Sequence, residues 1–164
     1  MTIRQSKQSL SRVPALSTPE ASDVVPLIFE YVCTTLANMA LNDIIEMGAL
    51  PANCVPVAPP ILVCDDIDTG TTLTLSLGIM SGDYLGGQLD SAGAARTCGA
   101  EFLNASTVGQ AGGMVTSALP GGLQLSPTLY DRAIGVKIAA AATGVTAGAK
   151  IRVMMLVAPA PVGI

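Results

Sequence analysis

The sequence predicts an all-β chain: an antiparallel two-sheet sandwich or jelly roll with an extended N-terminal arm. Three observations carry that expectation. Residues 71–80, TTLTLSLGIM, place Leu73, Leu75, Leu77 and Ile79 on one parity and Thr72, Thr74, Ser76 and Gly78 on the other. That is the period of a strand with one buried face and one wet face. Similar short runs, seven or eight in all, recur along the chain between Gly and Pro punctuation. Almost no stretch carries helical periodicity.

In chain order, residues 1–23 are rich in Ser, Thr and Gln and lack a repeated apolar pattern. They read as a flexible, mildly basic arm that orders on binding, with Arg4, Lys7 and Arg12 as its basic residues. Residues 24–164 form the sandwich body. Its first strand is VVPLIFEYVC, with Val25, Leu27, Phe29, Tyr31 and Cys33 on one face. LNDIIEM, residues 41–47, is a second, ended by Gly48. Residues 54–64 are extended, but Pro56, Pro59 and Pro60 cannot donate to a ladder, which demotes the first half to an edge or bulge.

An acidic turn, CDDIDTG, leads into the central strand, whose regularity suits the middle of an antiparallel sheet. Residues 84–99 read as a long Gly-, Ala- and Asp-rich loop, and residues 101–108 as a short helix. Short segments surround Val115 and residues 123–125. Residues 133–142 alternate again through Ile134, Val136, Ile138 and Ala140. The last strand, KIRVMMLV, points Ile151, Val153, Met155 and Val157 inward. Its other face starts charged and ends apolar, so its end is expected to be covered on both sides.

Composition narrows the function classes. Half of the 164 residues are hydrophobic and 12% are charged, against about a quarter charged in an average soluble domain. Much of the surface is therefore expected to meet other protein. A net charge of -4 gives no basic field for nucleic acid, and 3% aromatics leave few stacking platforms. No apolar stretch reads as a membrane span or a signal peptide. The chain has no His, which excludes Ser-His-Asp and Cys-His nucleophile systems. No phosphate-binding glycine loop is present.

Cys33, Cys54, Cys64 and Cys98 lack metal-ligand spacing and read as buried free thiols. Asp65, Asp66 and Asp68 form the one dense carboxylate cluster, but the calcium-loop pattern would place Leu77 where a Glu is needed. That cluster reads as a solvated acidic turn. No catalytic residue, cofactor or metal is expected.

The run NDIIEMGALPANCVPVAPPILVCDDIDTGTTLTLSLGIMSGD resembles small structural proteins of tailed bacteriophages. In those proteins a similar leucine-proline-alanine turn and Asp-Asp-x-Asp-Thr-Gly line lead into the middle strand. The later pieces ARTCGAEFLNASTVGQAGG and DRAIGVKIAAAATGVTAGAKIRV look like the second half of the same pattern. Residues 42–153 are covered; the basic arm and the proline tail are not. The resemblance implies a capsid decoration (cement) protein with a jelly-roll-like fold. It would sit on the capsid exterior of a virion, after synthesis in the host bacterial cytoplasm. Its implied partners are the major capsid protein and copies of itself, with no nucleic acid and no membrane. Arg4, Lys7 and Arg12 are then candidate contacts to the capsid or a neighbour. Two other readings stand beside it: a phage tail or head-completion component, and a carbohydrate-binding or hydrolytic β-sandwich.

Overall fold

The structure, a computed structural model, describes residues 3–5, 24–33 and 39–160. They form ten strands: β1 (Ile3–Gln5), β2 (Val25–Val32), β3 (Ile44–Leu50), β4 (Cys54–Pro56), β5 (Ile61–Cys64), β6 (Thr74–Asp83), β7 (Leu103–Ser106), β8 (Gly113–Thr116), β9 (Arg132–Ala140) and β10 (Lys150–Pro159). One 3-10 turn, Pro120–Gln124, lies between β8 and β9. One sheet, here sheet A, has the order β1-β3-β9-β6-β7; sheet B has the order β2-β10-β5-β8, with β4 also pairing β10. Pairing is antiparallel throughout except that β1 runs parallel to β3.

The alternation in the sequence becomes the core between the sheets. Leu75 and Leu77 of β6 meet Val136 and Ile138 of β9 on one side, and Ile151, Val153, Met155 and Val157 of β10 on the other. Phe29 and Phe102 are the buried aromatics of this core. Fully burying one such aliphatic side chain contributes about 1.5–3 kcal/mol. Gly48 leaves space for the Phe29 ring, which a Cβ at that position would strike.

Several expectations are corrected. β3 does not stop at Gly48 but continues to Leu50, with a register shift between Glu46 and Gly48 that lets Leu50 return to the core. Residues 101–108 hold no helix. Leu103–Ser106 pairs antiparallel with β6, and Ala105 has a φ of 48°, outside the right-handed helical region. The supposed wet face of the central strand is largely dry. Ser76 is buried and its Oγ accepts the Ala105 N–H at 3.0 Å. At Gly78 an added Cβ would run into Gly99 and Glu101.

Residues 84–99 are more than a loop: they lie against the outer face of sheet A. Met80 bridges Cys98, and the Gly99 N–H donates to the Ile79 carbonyl at 2.9 Å. Ile44, Met80, Cys98 and Ala133 form a second, small apolar cluster there, with Tyr84 packed against it. The last turn of the cover is tied by Asp90, whose Oδ1 accepts the N–H groups of Ala92 and Ala94.

The arm expected over residues 1–23 lies mostly outside the described residues. Within it, Ile3–Gln5 forms β1 on the edge of sheet A, in register with Ile44, Ile45 and Glu46.

Candidate interaction surfaces

The outer face of sheet B is organised in rows fixed by strand register. Pro26 lies opposite Leu156. Met154 lies between Ile28 on β2 and Ile61 on β5. The next row is Glu30, Arg152 and Val63, with Met114 beyond Val63 on β8. One half of the face is therefore apolar and the adjoining half charged. Arg152 Nη2 donates to Glu30 Oε2 at 2.6 Å, which neutralises the boundary between the halves.

The apolar half is concave. A groove of about 320 Å³ is lined by Pro26, Ile28, Pro59, Ile61, Met154 and Leu156, among others, with no charged side chain in its wall. Ile28 and Leu156 are 53% and 41% exposed. The end of β10 is thus covered on its core side and open on its outer side, where the sequence had suggested cover on both. Alternation explains the pattern: the parity of Met154 and Leu156 is opposite to that of the buried Met155 and Val157. Nothing intramolecular among the described residues requires these side chains to be apolar.

The outer face of sheet A carries a buried ion pair instead. Arg96 and Glu46 both have side chains with 0% exposure, and Nη1 donates to Oε2 at 2.6 Å. Arg96 Nε also donates to the Ser81 carbonyl at 2.7 Å and Nη1 to the Gly87 carbonyl at 3.2 Å. Glu46 Oε1 accepts the Leu85 N–H at 3.0 Å. The pair clamps both ends of the covering segment onto the sheet. Fifty residues separate the partners, so no local sequence signal announces them.

Of the predicted contact residues, Arg4 is on β1, where Nη1 donates to Asp43 Oδ2 at 2.6 Å. It therefore belongs to the edge of sheet A and not to the apolar groove. Lys7 and Arg12 lie outside the described residues.

The acidic turn is divided among three roles. Asp65 Oδ2 accepts the Lys150 N–H at 2.9 Å, and Asp66 is exposed. Asp68 is not solvated: it is buried and has become a hub. Its Oδ2 accepts the N–H groups of Thr72 and Leu73 at 2.9 and 2.8 Å. Its Oδ1 accepts those of Gly70 and Thr143 at 3.1 and 2.8 Å. Burial raises its pKa, but the N–H donors of Leu73, Gly70, Thr72 and Thr143 outweigh that and hold the carboxyl well below the usual range. The carboxylate joins the β5–β6 turn to the β9–β10 turn. The Asp68-Thr69-Gly70 sequence is the readable signal for such a side-chain turn. Among the described residues no group of three His, Cys, Asp or Glu is placed to hold a metal.

No family model and no curated protein matches the chain. Solved structures do. A chain of the structure described as "Capsid of Ralstonia phage GP4" is 37% identical, with a TM-score of 0.82, covering 98% of this chain and 99% of that one. A chain of "Cyanophage Pam1 capsid asymmetric unit" is 22% identical, with a TM-score of 0.51 and 92% and 94% coverage; it shares the fold.

Proposed function

The chain belongs to the family of that Ralstonia phage GP4 capsid chain, and from this premise we propose that it is a capsid decoration protein. In this reading it binds the outer surface of a phage capsid and clamps adjacent subunits. The observation that carries it is the apolar groove on sheet B, where exposed Ile28 and Leu156 flank half-buried Met154 in a surface suited to another protein. The strand orders support the jelly-roll reading. β2-β10-β5-β8 faces β3-β9-β6-β7, and from β2 on the chain crosses between the two layers at every step except β4 to β5 and β6 to β7, as in a double-sheet jelly roll. Repeating one modest contact on the order of hundreds of times around a shell stabilises it without any single tight interface.

The test uses Leu156→Asp and Ile28→Asp on purified particles. Both positions are exposed in the isolated chain, so each variant should melt within about 2 °C of the parent. Occupancy on capsids, measured by quantitative mass spectrometry, should fall at least about tenfold, since a buried aliphatic side chain contributes more than the roughly 1.4 kcal/mol that a factor of ten requires. Unchanged occupancy removes the groove from the capsid contact. A shell that fails to assemble without the chain makes it the shell-forming subunit and not a decoration. A copy number of a few per particle assigns it to the tail or the head vertex.

A further inference from the structure

We propose that the outer face of sheet A carries a binding site for a single carboxylate-sized oxyanion, between the Asn42 turn and the covering segment. A pocket of about 180 Å³ is lined there by Asn42, Ile44, Arg96, Thr97, Cys98 and Lys137. That is space for about six waters, enough for a carboxylate and its stem but not for a nucleotide.

Its polar lining is supplied by Asn42, Arg96, Thr97 and Lys137, each of which can donate a hydrogen bond. Lys137 stands opposite Ile44 on β9 and β3, on the outer face, and takes part in no ion pair among the described residues. Among those same residues, the side-chain amide of Asn42 and the hydroxyl of Thr97 have no protein partner. Arg96 is fully buried, and its Nη2 has none either, although Nε and Nη1 are satisfied. A buried guanidinium nitrogen without an acceptor costs free energy that an oxyanion would recover.

No carboxylate lines the pocket, and the nearby ones already hold partners, Glu46 on Arg96 itself. Asp43 is held by Arg4, Glu46 by Arg96 and the Leu85 N–H. Glu101 accepts the Ile79 N–H at 2.8 Å. With Arg96 balanced by Glu46, the ammonium of Lys137 is the lining charge that has no ion-pair partner among the described residues. Two sources can supply the ligand: a small free anion, or an Asp or Glu side chain of a neighbouring subunit. Only the second rests on the capsid-decoration reading.

Sodium acetate is titrated into the full chain against sodium chloride at equal ionic strength, and the Arg96 Nε–H and the Thr97 and Cys98 amides are followed by NMR. Acetate should give saturable shifts at these groups that chloride does not. Lys137→Gln should weaken the apparent affinity at least about fivefold, and Thr97→Val should weaken it without altering the fold. Linear shifts shared with chloride, or saturable ones unaffected by both variants, overturn the site. On particles, reduced occupancy of Lys137→Gln identifies a neighbour's carboxylate as the ligand. Unchanged occupancy with saturable acetate binding identifies a small-anion site, and it leaves the groove-based capsid reading to its own test.

Discussion

Replacing Asp68 by Asn isolates the charge of the buried hub while keeping its shape. The amide retains one acceptor oxygen, which can serve the Gly70 and Thr143 N–H groups or the Thr72 and Leu73 pair, but not both. Its NH2 then faces donors. The Thr72 N–H lies at an exposed residue and can turn to water, whereas that of fully buried Leu73 cannot. Losing one charge-assisted bond of about 1.5–3 kcal/mol, with a donor left unsatisfied, predicts destabilisation of about 3 kcal/mol. For a chain of this length that lowers Tm by about 6–12 °C.

The pH dependence separates charge from packing. The folded carboxyl is depressed below its unfolded value, so the wild type has the full contribution above about pH 4 and loses it as pH falls toward the folded pKa. The Asp68→Asn variant has no such proton to take up. Calorimetric melts from about pH 7 to about pH 2.5 should therefore show the gap between wild type and Asp68→Asn narrowing below about pH 4. A variant within about 1 °C of wild type at neutral pH, or a gap that stays constant with pH, refutes the reasoning.

Other outcomes follow from the same geometry. Arg96→Met, which leaves Glu46 charged and buried, should cost about 3–5 kcal/mol by denaturant titration, while a Glu46→Leu and Arg96→Met double variant should cost less than the single one. The four thiols are buried and free, and burial pushes Cys33 up to about 11 and Cys64 and Cys98 to about 12. Native protein at about pH 8 should therefore resist alkylation, and four free thiols should appear on denaturation without reductant; two disulfides would overturn this. Deleting residues 1–5 removes β1 and the Arg4 partner of the buried Asp43, so Tm should drop by about 2–8 °C, for about 1–2 kcal/mol. An unchanged Tm would mean that β1 adds nothing to sheet A.

What was legible in the sequence followed from local period. β2, β9 and β10 sit where the alternation of Leu27, Ile134 and Ile151 with their neighbours placed them, with the same inward faces. The errors arose where a second layer lay over a strand. Ser76 and Gly78 read as wet because Thr and Ser parity says nothing about a cover made roughly 20 or more residues later by residues 99–105. Residues 101–108 read as a helix because EFLNASTV has no period strong enough to oppose it, and pairing to β6 decided the matter. The Arg96–Glu46 clamp is a tertiary fact. The groove was half visible: Met154 and Leu156 were seen as apolar on the wrong parity, but only the register with Ile28 and Ile61 gathers them into one surface.

The order of strands within the sheets has a consequence for the chain as it is made. β9 is the strand that joins β3 to β6 in sheet A, and β10 joins β2 to β5 in sheet B. Both central strands come after every strand they join, from Arg132 onward. On a ribosome, neither sheet can close until residues 132–159 have emerged, and every earlier strand waits with an open edge. Met154 must find Ile28 across more than a hundred residues of intervening chain. Such non-local pairing places folding in the millisecond-to-second range and after β10 has emerged. A ribosome-stalled chain lacking β10 should accordingly be digested readily by protease, and a nonsense codon just before Lys150 should be as damaging as one in β5.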